Sequence, residues 1–339
     1  MRILVGISGG VDSACAALEL ARSGHTVEGA ILKMHEYSDI DGAARVAEAL
    51  GIPLHVIDAT ESFNNIIKEN LADEYLAGRT PNPCILCNEK VKFKGLYDYA
   101  VGHGFDRIAT GHYARIVKRG ERLAVASASD SRKDQSYMLY RLPQEILRVL
   151  LLPLAEVNKS EVRALAADFG IPVADKKDSQ EICFLPNGGH AEFIEGLRGV
   201  CPRGDFISPD GTRLGSHNGI IRYTVGQRKG LGIALGERVF VTDIDPDRNT
   251  VTLSPHMIGR EYVTVDSPVF SGLGSLSEGE EMRLSVRLRY SAPRIPTTVR
   301  MLPDGSVSLR FDTPQTASPG QSAVIYDGDT VLFGGFIRR

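Results

Sequence analysis

No apolar run in this 339-residue chain approaches the ~20 residues that a bilayer-spanning helix needs. The opening Met1-Arg2-Ile3-Leu4-Val5 runs straight into a strand-like stretch, without the basic, apolar and small-residue zones of a secretion signal. A cytoplasmic protein with no membrane attachment is expected. No sign of charge dominates either: the formal net charge is −3, whereas a binder that holds nucleic acid through a global field would be basic. Any nucleic-acid contact must come from local patches. Cysteine is scarce and odd in number, at Cys15, Cys84, Cys87, Cys183 and Cys201. Without a secretion signal this argues against a disulfide scaffold. There are no internal repeats and no low-complexity segments, and the length suits two or three domains.

The first half alternates strand and helix signals. Arg2–Ile7, Thr26–Leu32, Leu54–Ala59 and Arg107–Gly111 read as strands. Asp12–Ser23, a helix capped by Asp41 and ending at Gly51-Ile52-Pro53, Glu61–Ala77 and Val91–His103 read as helices. Such alternation predicts an α/β domain on a doubly wound parallel sheet, and the apolar first strand suits burial on both faces. Helical signals continue to about Phe169, with Asn158 or Ser160 near a helix start. Beyond Leu185 glycine and proline become frequent, and from about Val239 the segments are short, β-branched and turn-bounded. Asp304-Gly305 and Asp327-Gly328 are hairpin signals. The expected division is a catalytic domain over 1–185, a small central domain over 186–257 and a terminal β-barrel over 258–339.

Gly6-Ile7-Ser8-Gly9-Gly10-Val11-Asp12-Ser13 sits between a strand and a helix. Gly9 and Gly10 let the backbone approach phosphate oxygens, and the following helix N-terminus adds positive partial charge. Ser8 and Ser13 can donate hydrogen bonds. Asp12 can cap the helix or help hold a Mg²⁺ on the phosphates. The Gly-Lys-Ser/Thr ending of a Walker A loop is missing. The loop resembles instead the pyrophosphate loop of enzymes that split ATP to AMP and pyrophosphate while adenylating a substrate.

A second motif is Thr80-Pro81-Asn82-Pro83-Cys84-Ile85-Leu86-Cys87-Asn88. The two prolines are expected to exclude helix there, so that Cys87 opens the helix carrying Lys90, Lys92 and Lys94. A thiol at a helix N-terminus beside lysines has a lowered pKa. Cys183, the third element, follows Lys176 and Lys177. A Cys-x-x-Cys pair alone could bind zinc, form a redox disulfide or do nothing. Cys15 reads as packing and Cys201 as an inert loop thiol.

With Ala109-Thr110-Gly111-His112-Tyr113, Lys133-Asp134-Gln135-Ser136-Tyr137, Tyr223–Gly232 and Pro319–Ala323, these motifs make nearly the whole chain similar to the tRNA-specific 2-thiouridylase family. The resemblance implies that ATP adenylates the C2 oxygen of a wobble uridine and that sulfur then displaces AMP, one hard substitution split into two easier ones. It implies Cys183 as the persulfide carrier and Cys87 as the other catalytic cysteine, able to attack the base or to form a disulfide with Cys183. Asn82, Pro83 and Cys84 match the segment meeting the target base. Gly6 to Ser13, Leu32 and Gly111 match nucleotide contacts. His112, Lys133, Asp134, Gln135, Arg289, Tyr290 and Gln321 match tRNA contacts. Cys84 departs from family members with aspartate at this position. With Cys87 and Cys183 it could instead hold an iron–sulfur cluster with one open iron, so a persulfide route and a cluster route both stand. The implied cofactors are ATP and Mg²⁺, with a cluster on the second route. The implied partners are tRNA and an upstream sulfur donor, persulfide carrier or cysteine desulfurase, and the free protein is expected to be a monomer. Arg222–Gly230 and the group Arg287, Arg289, Tyr290 and Arg294 are the basic patches available for RNA. A ligase acting on a small molecule and a non-catalytic RNA-binding protein are the rival readings.

Overall fold

The computed structural model describes residues 1–171, 182–185 and 189–339. Five parallel strands, β1 (Arg2–Gly6), β2 (Thr26–Lys33), β3 (Leu54–Asp58), β4 (Arg107–Thr110) and β7 (Leu150–Leu151), form the first sheet in the order β3-β2-β1-β4-β7. Ile3, Leu4 and Val5 are fully buried, because helices cover both faces. Helix α1 (Val11–Arg22), α2 (Ile40–Leu50) and α6 (Lys159–Asp168) share one apolar core. Helices α3 (60–76) and α4 (83–102) lie in another. The order reverses between β1 and β4, so the crevice at their carboxyl ends is where such a sheet binds ligands.

Local signals set the helix ends. Asn158 caps α6 and forms a reciprocal capping box with Glu161. The cap of α2 is Asp39, whose Oδ1 accepts from Gly42 N–H at 2.9 Å; the expected cap, Asp41, lies inside the first turn. Helix α4 begins at Pro83, well before Cys87. Proline stands at the first helical position, where its missing N–H is no loss, so it starts this helix and does not exclude it. Both α3 and α4 contain a π turn, at Asn64–Lys68 and Asn88–Lys92.

A hairpin of β5 (Ala114–Arg119) and β6 (Arg122–Ser127) stands where helix signals were read. Helix α5 (Gln144–Val149) follows it, and α7 (His190–Arg198) opens the central region. A four-stranded sheet comes next, with β8 (Gly204–Ile207), β9 (Arg213–His217), β10 (Phe240–Asp245) and β11 (Thr250–Ser254) in the order β10-β11-β8-β9. The last six strands are β12 (Arg260–Phe270), β13 (Glu281–Arg287), β14 (Ile295–Met301), β15 (Val307–Gln315), β16 (Ser322–Asp327) and β17 (Thr330–Ile337). They run β12-β15-β14-β13-β16-β17 and close through β12–β17 into a barrel. The β5–β6 hairpin hangs on this barrel through the pair Thr330–Ala126. Among the described residues no helix is long and apolar enough to cross a membrane.

The amino-terminal half is locked to the barrel by buried polar contacts. Asp134, 4% exposed, accepts from Arg287 Nη1 at 3.0 Å, from Ser127 Oγ at 3.0 Å and from Ser136 N–H at 3.0 Å. Tyr137 donates to Ser322 O at 2.8 Å. Removing one member of a buried ion pair leaves the other charge uncompensated, at a cost of about 3–5 kcal/mol. Asp134→Ala is therefore expected to lower the denaturant midpoint sharply, and Asp134→Asn to do so less. Equal stability of Asp134→Ala and wild type in urea titrations would contradict this account.

Candidate active site at the sheet reversal

The nucleotide loop leaves β1 with Ile7 N–H bonded to Ala30 O at 2.8 Å. Gly9 has φ +69°, and a Cβ there would stand 2.7 Å from the Asp39 carboxylate, so this bend requires glycine. Ser13 Oγ accepts from Ser8 N–H at 3.1 Å and donates to Gly10 O at 3.0 Å. Helix α1 starts without a side-chain cap: Asp12 does not cap it. Both Asp12 carboxylate oxygens are taken by Lys159 Nζ, at 2.6 and 2.7 Å, and Oδ1 also accepts from Tyr113 Oη at 2.6 Å. Lys159 stands 147 positions from Asp12 and belongs to no motif, so nothing local in the sequence marks it. Gly111, across the crevice, packs so closely that a Cβ would meet the Asp12 carbonyl carbon at 2.5 Å. Leu32 is buried near the end of β2.

The Asn82–Cys87 segment is fixed from both sides. Asn82 caps α4, its Oδ1 accepting from Cys84 N–H at 3.2 Å, and its Nδ2 reaches Met138 Sδ at 3.6 Å. Thr80 N–H donates to Pro319 O at 2.8 Å, and Gln321 Nε2 donates to Thr80 O at 2.7 Å. Pro83 is buried and Cys84 is exposed. Cys87 is buried, and its Sγ points at Met34 Sδ, 3.8 Å away. Cys87 lies a full turn inside the helix and not at its N-terminus, so the expected lowering of its pKa is reversed: burial pushes the thiol up to about 12, against a smaller opposing effect of Lys92. The thiols of Cys84 and Cys183 are also raised by the surrounding protein. The three cysteines act on one another electrostatically, and Lys92 acts on each. The carboxyl ends of β1 and β2 thus bring together residues distant in sequence, the Gly6–Ser13 loop after β1 and Cys87 against Met34 after β2. Phe184, buried between Phe63 (5.2 Å) and Phe193 (5.4 Å), anchors Cys183. Lys176 and Lys177, read as neighbours of Cys183, lie outside the described residues.

All five cysteines are free thiols, which corrects the expected Cys87–Cys183 disulfide: Cys87 faces a thioether on β2's extension, and Cys183 is exposed. Cys15 packs between α1 and α6, donating to Val162 O at 3.3 Å. Cys201 is buried.

The positions matched to RNA contact line the seams of the fold. Gln135 Oε1 accepts from Tyr113 N–H at 2.9 Å, and Asp134 is buried at the barrel junction as described. Lys133 sits in the turn that begins at Asp130. Arg289 donates to Ser318 Oγ at 2.6 Å and to Val225 O at 3.3 Å, joining barrel to central region. Tyr290 is 37% exposed, its ring 6.0 Å from that of Tyr137. Arg287 and Arg294, read as basic surface, turn inward to Asp134 and to the Tyr326 ring at 4.0 Å. Arg222 is neutralised by Glu192 and Glu195. His112 Nδ1 is 2.9 Å from Thr110 Oγ1, and burial, with Lys92 adding to it, lowers its pKa to about 3.

This last shift has a direction that can be measured. The unfolded chain protonates His112 near 6.5, and the native state only near 3. Acidification through that window favours the unfolded chain, by up to about 1.4 kcal/mol per pH unit. His112→Gln should lose less stability than wild type between pH 7 and pH 4 in urea titrations, and parallel acid slopes would refute the assignment.

Comparison with known proteins bears on the whole chain. Three family models match in series: "tRNA methyl transferase HUP domain" over residues 1–187, "tRNA methyl transferase PRC-barrel domain" over 191–255 and "Aminomethyltransferase beta-barrel domain" over 263–337. The tRNA-specific 2-thiouridylase MnmA of Acetivibrio thermocellus is 42% identical over 359 residues, covering 99% of each chain. The protein of the same name from Clostridium acetobutylicum is 39% identical over 360 residues, again covering 99% of each. That of Geotalea uraniireducens is 41% identical, covering 100% of this chain and 95% of its own. From nucleotide loop to closed barrel, the chain belongs to the tRNA-specific 2-thiouridylase family.

Proposed function

We propose that this protein converts the C2 oxygen of a tRNA uridine to sulfur in two steps at the β1–β4 crevice. The observation that carries the reading is the meeting, at the carboxyl ends of one sheet, of an ATP-type loop after β1 with Cys87, which packs on Met34 just past β2, and with Cys183, held by Phe184 against Phe63. In the first step the uridine O2 attacks the α-phosphorus of ATP and pyrophosphate leaves. The bend at Gly9, the Ser8 and Ser13 hydroxyls and the N-terminus of α1 suit the phosphates. Gly111 keeps the opposite wall of the crevice close. Mg²⁺ would travel with the phosphates. Asp12, with Lys159 on both oxygens, is not open to it in this arrangement.

In the second step Cys87 adds to C2 and expels AMP, and sulfur carried as a persulfide on Cys183 then displaces Cys87. Returning the persulfide sulfur to the sulfide level takes two electrons, supplied by an external thiol. Cys183 is exposed and can receive sulfur from a donor protein, whereas Cys87 is shielded against Met34 until the base enters. Asn82, Pro83 and Cys84 form the helix start beside which the flipped base would sit. Among the described residues no three His, Cys, Asp or Glu side chains are gathered as metal ligands. Cys84, Cys87 and Cys183 as they stand do not fit an iron–sulfur cluster. tRNA would lie over the seam of the three regions, with Tyr290 and Lys133 at its edge.

Cys87→Ser and Cys183→Ser should each abolish 2-thiouridine formation, read by nucleoside analysis of the product tRNA, while ATP binding survives. Cys201→Ser should be nearly silent. Thiolation persisting in either of the first two would overturn the reading. Turnover of a small molecule with no need for Cys183 would replace it by a ligase.

A further inference from the structure

Helix α4 departs from α-geometry directly after Cys87. In the π turn Asn88–Lys92, the N–H of Phe93 bonds Asn88 O, five residues back. In a regular α-helix, at 3.6 residues per turn, position 92 would be rotated ~140° from position 87. The wider turn swings position 92 back toward the side of the helix that carries Cys87. π turns of this kind recur at functional sites.

The three lysines of this helix, equivalent in the sequence, part company here. Lys90 pairs with Glu89 at 2.8 Å, and Lys94 pairs with Asp98. Lys92 is half-buried, and among the described residues no carboxylate forms an ion pair with it. Its charge reaches Cys84, Cys87, Cys183 and His112. His112 follows Gly111, the residue packed on the backbone of Asp12 and Ser13. Phe93, the next residue along α4, packs its ring 5.4 Å from that of His112, so Lys92 stands on the stretch of helix that runs from Cys87 to the crevice wall formed by Gly111 and His112. A cation drawn out of water without a counter-charge is costly, and its neighbours are neutral: thiols with raised pKa and an imidazole with a lowered one. The arrangement suits an anion that arrives with the substrate.

We propose that Lys92 is a catalytic residue of the sulfur-transfer step, its ammonium holding the α-phosphate of AMP as AMP leaves uridine C2. This rests on the adenylation reading above. The S–C2 bond forms as the C2–O bond breaks, and the electron pair of that bond goes to the AMP oxygen. The phosphate thereby gains a second negative charge. No proton moves in this step, and the Lys92 side chain stabilises the charge that develops. Because ATP also carries charge before the reaction, the contribution specific to Lys92 falls on the step that releases AMP.

The test uses the full-length protein, a tRNA transcript bearing the target uridine, ATP and a persulfide-generating desulfurase with thiol reductant. In Lys92→Met, 2-thiouridine turnover should fall about 100-fold or more, with the KM for ATP within about threefold. A single-turnover burst of pyrophosphate should persist as adenylated tRNA accumulates. Lys92→Arg, which keeps the charge, should recover most of the lost turnover. Thiolation by Lys92→Met within about threefold of wild type would overturn the proposal. So would parallel loss of the pyrophosphate burst and of thiolation with no rescue by Arg, the mark of a structural role. Cys87→Ser run alongside separates the two levels: thiolation surviving there refutes the adenylation and cysteine reading, whereas its loss there with an active Lys92→Met refutes only the role of Lys92.

Discussion

The buried carboxylate of Asp134 is the contact on which the assembly turns. It sits between the β5–β6 hairpin and the barrel, and Arg287 supplies its counter-charge from β13. The next residue, Gln135, grips the backbone of Tyr113 on both sides, Oε1 accepting from its N–H and the Gln135 N–H donating to its carbonyl. The Tyr113 hydroxyl reaches Asp12, which Lys159 also holds. A single run of hydrogen bonds thus leads from barrel to nucleotide loop. Desolvating so many polar groups is costly unless each has a partner, and the pairing fixes how the catalytic half meets the barrel.

The same logic governs the thiols. A cysteine at a helix N-terminus would be acidic and reactive before any substrate arrived. Placing Cys87 one turn inside α4, against the Met34 thioether, keeps it protonated and shielded. Cys84 and Cys183 remain accessible, one at the helix start and one on a turn pinned by Phe184.

Much of this was legible in the sequence, because the signals were local. The glycine loop, the Asn158 cap and the hairpin at Asp304-Gly305 each depend on a few adjacent residues. What was missed depends on distant partners or on locally ambiguous chemistry. Pro83 reads equally as a helix breaker and as a first helical residue, and only its Asn82 cap decides. Strand β17 carries Gly334-Gly335, which weakens a strand signal, yet a Cβ at Gly334 would strike the Tyr140 ring at 2.7 Å. Strand β12 is broken by a register shift around Pro268, beside Ser267 at φ +48°. Arg287, Arg289 and Arg294 looked like a basic surface. Their inward turn follows from acceptors contributed by other regions, Asp134, Val225 and Gly328 among them.

The separation of Asp134 from Arg287, 153 positions along the chain, has a meaning for synthesis. At ~5–20 residues per second, roughly 8–30 seconds pass between the emergence of the acid and that of its base. Throughout that interval the amino-terminal half holds a carboxylate built for burial, beside Tyr137 and Tyr140, whose rings the barrel has yet to cover. The nascent domain must keep this face hydrated or shielded until the barrel strands arrive, so the junction can close only after β13, and with it Arg287, has left the ribosome.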